Sequence, residues 1–550
     1  MDSLFAPIAA AVGASVDQVK LISCLLISYP LGSIFVRIPV SRPNLRHLFN
    51  VIVTSIYILP ILGMGTAYLQ LLGDMLVTYV LAAKVKSARM PWIVFGVIMG
   101  HLTVNHVLRL MSKLSYETYE ITGPQMVLTM KLTTFAWNVF DGRRPAEELD
   151  KWQMQKRITE YPSLLAFLGY AFYFPGFLVG PSLEYADYDH LVRGTHFQAL
   201  DQNNINADGK RKKLVPKGRK RVAYRQMLLG LTFLGIYVSF SGSYNLGVPV
   251  QDWFAERNIL YRIAYLQLCG FFERTKYYAV WTLTEGSSIL TGLGFSGFSP
   301  SGKSCWDGAA NVDILNIEFA PNFKVLLDSW NIKTNVWLRE CIYKRVTPKG
   351  KKPGFKSSMI TFTTSAFWHG VAGGYYLTFS FGGFIQTAQR LCRRHLRPLF
   401  LPPTYVASSH SPPPPPTLIK RLYDMAGIVC SVLILNYTVT PFMLLDTRDS
   451  ILAWSRLGWY GHWMVGGALA FFYGGGARLL KKMQAARVRK ADVKRATLSV
   501  EKTVDSESVS DDPGEAPVLP PMDEAAKELE NIQLMRMVNE RLGSQEGIRR

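Results

Sequence analysis

Apolar residues in this chain run in long blocks rather than at a short period. Stretches near the roughly 20 residues needed to cross a bilayer recur along most of the sequence. They cover 19–36, 51–69, 71–83, 91–110, 164–179, 227–246, 260–270, 277–293, 360–384, 425–445 and 454–473. Several are short or interrupted by Gly and Pro, which is tolerated where a segment lines a cavity inside a helix bundle. The pattern predicts an all-α, polytopic membrane helix bundle of about 10–11 transmembrane or re-entrant segments enclosing a chamber. Asp2 and the lack of a basic region before the first block argue for an early span that directs insertion, not a removed signal peptide.

The blocks stop near residue 480. The prediction is therefore a membrane-embedded domain over 1–480 and a cytoplasmic tail over 481–550. The tail is rich in Ser, Asp, Glu and Pro over 500–521, a composition that predicts disorder. A short charged helix is expected near 523–542, where Leu529, Ile532 and Val538 recur on one side. Five consecutive prolines at 412–416 predict a stiff polyproline II link between two apolar segments.

Composition agrees with a membrane body. Of 550 residues, 49% are hydrophobic and 18% charged, which excludes a disordered chain. Six scattered cysteines give neither a disulfide framework nor metal-ligand spacing. The net charge of +21 is not shared evenly. The segment 481–550 holds 13 basic and 13 acidic residues, so the surplus belongs to the body. It gathers in runs at 210–221, 344–356 and 390–397, and a fourth run at 481–495 opens the tail. Each borders an apolar block, the arrangement of cytoplasmic loops under the positive-inside rule and not a nucleic-acid footprint.

Some motifs match only in letters. GFSPSGKS at 297–304 fits the P-loop pattern and GLGFSG at 292–297 fits G-x-G-x-x-G. Both need a preceding strand and a following helix, and Pro300 and the Cys305-Trp306-Asp307-Gly308 sequel provide neither. HFQALD at 196–201 is an H-x4-D match of the kind nine histidines produce by chance. The sequon at Asn436 lies inside an apolar block.

Polar groups inside apolar blocks carry more information, because an unpaired one costs roughly 2–7 kcal/mol in hydrocarbon. The first such stretch is DSWNIKTNVWLRECIYKR at 328–345. Asp328 or Ser329 is expected to cap a helix starting near Trp330, with Asn331, Asn335 and Leu338 on one face and cations Arg339, Lys344 and Arg345 at its end. On spacing alone, an interfacial amphipathic helix explains it equally well. The second is ITFTTSAFWHGVAGGYYLTFSF at 360–381, whose one imidazole is His369. Ser365 sits one turn earlier, where it would orient the ring. Gly370, Gly373 and Gly374 would admit a close backbone or an acyl chain. A satisfied core histidine is the commoner fate of such a residue.

These blocks, with FYFPGFLVGPSLEYADY at 172–188, LNYTVTPFMLL at 435–445 and ITGPQMVLTMKLTTFAWNVFDG at 121–142, resemble the membrane-bound O-acyltransferase family. Within it they are most similar to fungal broad-specificity lysophospholipid acyltransferases, over about residues 21–480. One departure is visible: Gly373 stands where the family often has Pro. The resemblance implies His369 and Asn331 as the catalytic pair. It implies acyl-CoA as donor and co-substrate, with no cofactor and no metal. The acceptor implied is a lysophospholipid, namely lysophosphatidylcholine or lysophosphatidylethanolamine, with lysophosphatidic acid a further candidate. Trp337, Arg339, Lys344 and Arg345 are then expected at acyl-CoA, and Ser365, Tyr173, Gly180, Pro181 and Tyr376 in the acceptor chamber. The implied setting is the endoplasmic reticulum membrane, among membrane lipids and without nucleic acid. A family member acting on a sterol or diacylglycerol, or a lipid transporter, are the alternatives the residues leave open.

Overall fold

The computed structural model describes residues 1–114, 118–197, 215–348, 350–351, 354–403, 405 and 415–507. These fall into two units, Met1–Met483 and Gln484–Arg550. The second is described only to Glu507, within the helix Ala477–Glu507. That helix runs into the segment whose composition predicts disorder. The helix expected over 523–542, most of the proline run and most of the H-x4-D match lie outside the described residues.

Capping signals in the sequence set the ends of the long helices. Ser15 and Gln18 form a reciprocal capping box at the start of Val16–Phe35. Asn258 accepts the Tyr261 N–H at 2.9 Å to open the 33-residue helix Ile259–Thr291, and Gly292 at φ 98° closes it. Thr417 caps Leu418–Leu444 in the same way.

Among the described residues, five helices are long and apolar enough to cross a membrane: Val16–Phe35, Gly65–Lys84, Met90–Met111, Arg219–Phe240 and Leu418–Leu444. The other predicted blocks are divided differently. The block at 51–69 breaks at a π-helical turn, Tyr57–Ile61, and its end joins the next block as Gly65–Lys84. The blocks at 260–270 and 277–293 are one continuous helix. The block at 164–179 is two short helices, Leu164–Ala171 and Phe174–Phe177, and that at 360–384 breaks after His369. The would-be P-loop is a two-stranded hairpin pairing Gly297 with Cys305 and Phe298 with Ser304, with no helix to aim at phosphate.

One central helix escapes the apolar pattern altogether. Thr122–Gly142 contains Gln125, Lys131, Asn138 and Asp141, yet 17 of its 21 residues are buried. A helix wrapped by other helices never meets lipid, so its polar groups need partners rather than an apolar surround. Lys131 shows how this is done. Its Nζ donates to the carbonyls of Tyr170 and Ala171 at 2.6 and 2.9 Å, and lies 4.8 Å from the Tyr170 ring. Those carbonyls end the short helix Leu164–Ala171, and that of Tyr170 also accepts the Tyr173 N–H at 3.2 Å. A second buried cluster joins three helices: His101 meets Asp74 at 2.7 Å, and Gln125 meets both Asp74 and Asn105, at 3.1 and 2.8 Å.

Candidate active site

His369 is the last residue of Phe355–His369, and Gly370, at φ 144°, turns the chain out of the helix. The chain re-enters as Gly373–Leu391. Gly373 thus occupies the first helical position, whose backbone suits Pro, but a Cβ there would run into Thr447 Oγ1, which glycine avoids. A Cβ on Gly374 would collide with the Pro441 carbonyl, and the Gly374 N–H donates to the Leu445 carbonyl at 2.8 Å. Here glycine lets the hairpin press its backbone against the end of Leu418–Leu444.

Aromatic rings hold the imidazole. His369 stacks on Phe379 at 5.2 Å and meets the edge of Phe442 at 4.8 Å, with Tyr375 at 5.7 Å. The preceding residue is pinned twice: Trp368 Nε1–H donates to the Met126 carbonyl at 3.0 Å, and the Trp368 carbonyl lies 3.2 Å from Nε2 of His106. The expected Ser365 contact is not formed. Ser365 is buried one turn away, no hydrogen bond joins it to the ring, and it is not part of the cavity wall.

Asn331 sits in a different local structure from the one the helical spacing predicts. The preceding helix ends at Ser329, Trp330 is extended, and Asn331 adopts left-handed φ 46°, ψ 55° before Ile332–Trp337 begins. Asn is among the few residues that accept this conformation. Its amide orientation follows from a backbone donor. The Lys333 N–H donates to Asn311 Oδ1 at 3.0 Å, so Asn311 Nδ2 is the donor to Asn331 Oδ1 at 3.2 Å. Thr334 Oγ1 donates to the same oxygen at 2.8 Å. Both bonds fall on the Asn331 oxygen and leave its NH₂ group directed elsewhere. Asn335, expected on the same face, instead donates to the Leu327 carbonyl at 2.7 Å.

His369 and Asn331 line one cavity of about 550 Å³. Its wall also carries His106, Arg109, Glu120, Asn311, Trp368 and Phe442, with Met126, Val127 and Met130 from the buried central helix. His106 and Asn311 are 7% and 2% exposed and were not singled out in the sequence. A polar residue alternating with apolar ones on Met90–Met111 was the only signal for His106. Asn311 lies in a loop with no periodic signal at all.

The other expected site residues divide. Of the acceptor-chamber set, Gly180 is on the wall. Pro181 is buried beside it, Tyr376 is half-buried away from it, and Tyr173 is buried with its hydroxyl 2.6 Å from Thr291 Oγ1. None of the expected acyl-CoA residues reaches the cavity wall. Trp337 is buried and donates to Thr133 Oγ1 at 2.9 Å. Arg345 donates to both Asp141 oxygens and lies 4.2 Å from the Trp137 ring centroid. Lys344 meets Asp150 and Glu340 at 2.7 and 2.6 Å. Arg339 bonds Glu340 at 2.9 Å but keeps a side chain 47% exposed. Helix-end cations attract phosphate on paper, but buried carboxylates reach three of them first. Past the Gly180–Ser182 wall, burial and the nearby Asp187 carboxylate push the Glu184 carboxyl above its usual range.

An imidazole and an amide thus line one largely apolar chamber. Comparisons with known proteins agree with that chemistry. The profile of the membrane-bound O-acyltransferase family matches residues 70–432. The chain is 39% identical over 498 residues to the lysophospholipid acyltransferase of Schizosaccharomyces pombe, covering 90% of this chain and 94% of that one. It is 36% identical to the lysophospholipid acyltransferase of Saccharomyces cerevisiae, over 88% of this chain and 78% of that one. Identity to the human membrane-bound glycerophospholipid O-acyltransferase 1 is 30%, over 83% and 89%.

Proposed function

From the premise that this chain belongs to the membrane-bound O-acyltransferase family, we propose that it transfers a fatty acyl group to the free hydroxyl of a lysophospholipid. Acyl-CoA is the donor and the endoplasmic reticulum membrane the setting in this reading. The observation that carries it is the His369 ring and the Asn331 amide on the wall of one cavity. Family membership and the lysophospholipid acyltransferases among its relatives support the acceptor.

The chemistry needs few groups. Neutral His369 takes the proton of the acceptor hydroxyl as its oxygen attacks the thioester carbonyl, a role worth roughly 10²–10⁴ in rate. The carbonyl oxygen gains charge, and the Asn331 NH₂ donates to it. The C–S bond breaks, and the imidazolium returns its proton to the departing CoA thiolate. Direct transfer fits the position of Cys341, which is buried with Sγ 3.6 Å from Thr134 Oγ1 and off the cavity wall. Among the cations at the end of the Asn331 segment, Arg339 is the most exposed and meets a CoA phosphate in this reading.

Purified protein given acyl-CoA and a panel of lysophosphatidylcholine, lysophosphatidylethanolamine, a sterol and diacylglycerol tests the reading. The lysophospholipids should be acylated, His369→Ala should abolish the activity, and Asn331→Ala should lower it roughly 10²–10³-fold. Full activity in His369→Ala, or acylation of the sterol or diacylglycerol alone, would overturn it.

A further inference from the structure

We propose that the Arg109–Glu120 ion pair on the cavity wall is the subsite for the acceptor's zwitterionic headgroup. Arg109 takes the phosphodiester and Glu120 the ammonium. This rests on the lysophospholipid reading and adds which residues sort one headgroup from another.

Acceptor geometry limits where a phosphate can sit. The free hydroxyl and the phosphoester belong to the same three-carbon glycerol, so a hydroxyl placed at His369 puts the phosphate only a few bonds away. Arg109 is in the right neighbourhood. His106 touches the carbonyl of Trp368, the residue before His369, at 3.2 Å. Arg109 follows His106 by three residues on Met90–Met111, about 4.5 Å further along nearly the same face. Both side chains line the cavity.

Each cation described on that wall has protein partners; Arg109 differs in that its carboxylate partner also lines the cavity. Arg274 forks onto Glu318 at 2.9 and 2.6 Å and also donates to Asn436. Lys333 Nζ donates to the Gly308 carbonyl at 2.7 Å. Arg109 is paired with Glu120, which faces the same chamber and is fixed there by the Thr122 N–H at 3.2 Å. The two side chains are 25% and 17% exposed, so a ligand charge meets them partly desolvated, where ion pairing strengthens. A phosphate on the guanidinium and an ammonium on the carboxylate turn one ion pair into a four-charge square of alternating sign.

Depth agrees as well. Met90–Met111 starts beside Lys84, Lys86 and Arg89, and Thr122–Gly142 ends at Arg143 and Arg144. Arg109 and Glu120 therefore lie at the opposite end of these helices from the basic loops.

The test compares wild type, Glu120→Gln, Arg109→Gln and Arg109→Lys with one acyl-CoA. Lysophosphatidylcholine, lysophosphatidylethanolamine and lysophosphatidic acid are the acceptors. Lysophosphatidic acid keeps the phosphate and lacks the ammonium. Glu120→Gln should lower kcat/KM for the two ammonium-bearing acceptors about tenfold relative to lysophosphatidic acid, the loss of one charge-assisted contact. Arg109→Gln should raise KM for all three, with partial recovery in Arg109→Lys. A Glu120→Gln protein with the wild-type acceptor ratio, or one that loses all three acceptors in proportion as its Tm falls, overturns the subsite and leaves the acyltransferase reading standing. A wild-type protein inactive on all three removes the acceptor reading itself, and the subsite with it.

Discussion

Arg345→Met removes a guanidinium that donates to both oxygens of Asp141, one at 2.9 Å, and covers the Trp137 ring. The two charged side chains are 8% and 1% exposed. Breaking a buried ion pair from one side costs about 3–5 kcal/mol, because the remaining charge is stranded. Asp141 keeps Arg144 at 3.2 Å, so the expected loss is at the low end, about 3 kcal/mol. Asp141→Asn alone should also destabilise, leaving Arg345 with the Glu340 carbonyl at 3.1 Å and the Trp137 face. The double variant removes both charges and should recover up to about 3 kcal/mol of the summed losses. Thermal unfolding in detergent, followed by tryptophan fluorescence, measures all three proteins, with donor KM taken at a permissive temperature. The expectation is a lowered Tm with near-normal donor KM. A wild-type Tm with a donor KM raised tenfold would refute the structural role and return Arg345 to the donor phosphates.

Three other outcomes follow from the geometry. His106→Leu, which loses the donor to the Trp368 carbonyl, should lower kcat about tenfold with less change in acceptor KM; His106→Asn, which keeps a donor, should recover most of it. An equal deficit in both would mean that bulk, not the hydrogen bond, matters. Cys341→Ser should keep its activity at normal abundance, and an inactive but abundant protein would point to an acyl-enzyme. Burial and the neighbouring Asp187 carboxylate raise the Glu184 pKa above its ordinary value, so the folded state holds that proton more tightly than the unfolded chain, and stability falls as pH rises above the ordinary carboxyl range. Glu184→Gln should therefore raise Tm more at pH 8 than at pH 5, and an equal change at both would discard the assignment.

The sequence made the membrane body legible because lipid-facing helices must be apolar, and Val16–Phe35, Met90–Met111 and Leu418–Leu444 are. The same rule hid Thr122–Gly142, whose surroundings are other helices; only its likeness to a family block marked it. His369 and Asn331 were legible as polar residues next to apolar runs, and the structure puts both on one cavity. The helix drawn through Asn331 was not right, since helical periodicity cannot register a single left-handed residue. The cations after it were misread for a different reason. Charge on a helix end is visible in sequence, but Asp141 and Asp150, about 200 residues earlier, are not visible as their partners.

Lys131 has a consequence for how this protein is made. Its ammonium is satisfied by the last carbonyls of Leu164–Ala171. The ammonium could not rest in lipid alone without a cost of several kcal/mol. Inserted first, the Lys131 segment would carry an unmet demand until Leu164–Ala171 arrived. The expectation is that Thr122–Gly142 settles only once that second segment is in place. Nascent chains arrested before Leu164 should expose Lys131 to water-soluble amine reagents, and chains arrested well after Ala171 should protect it.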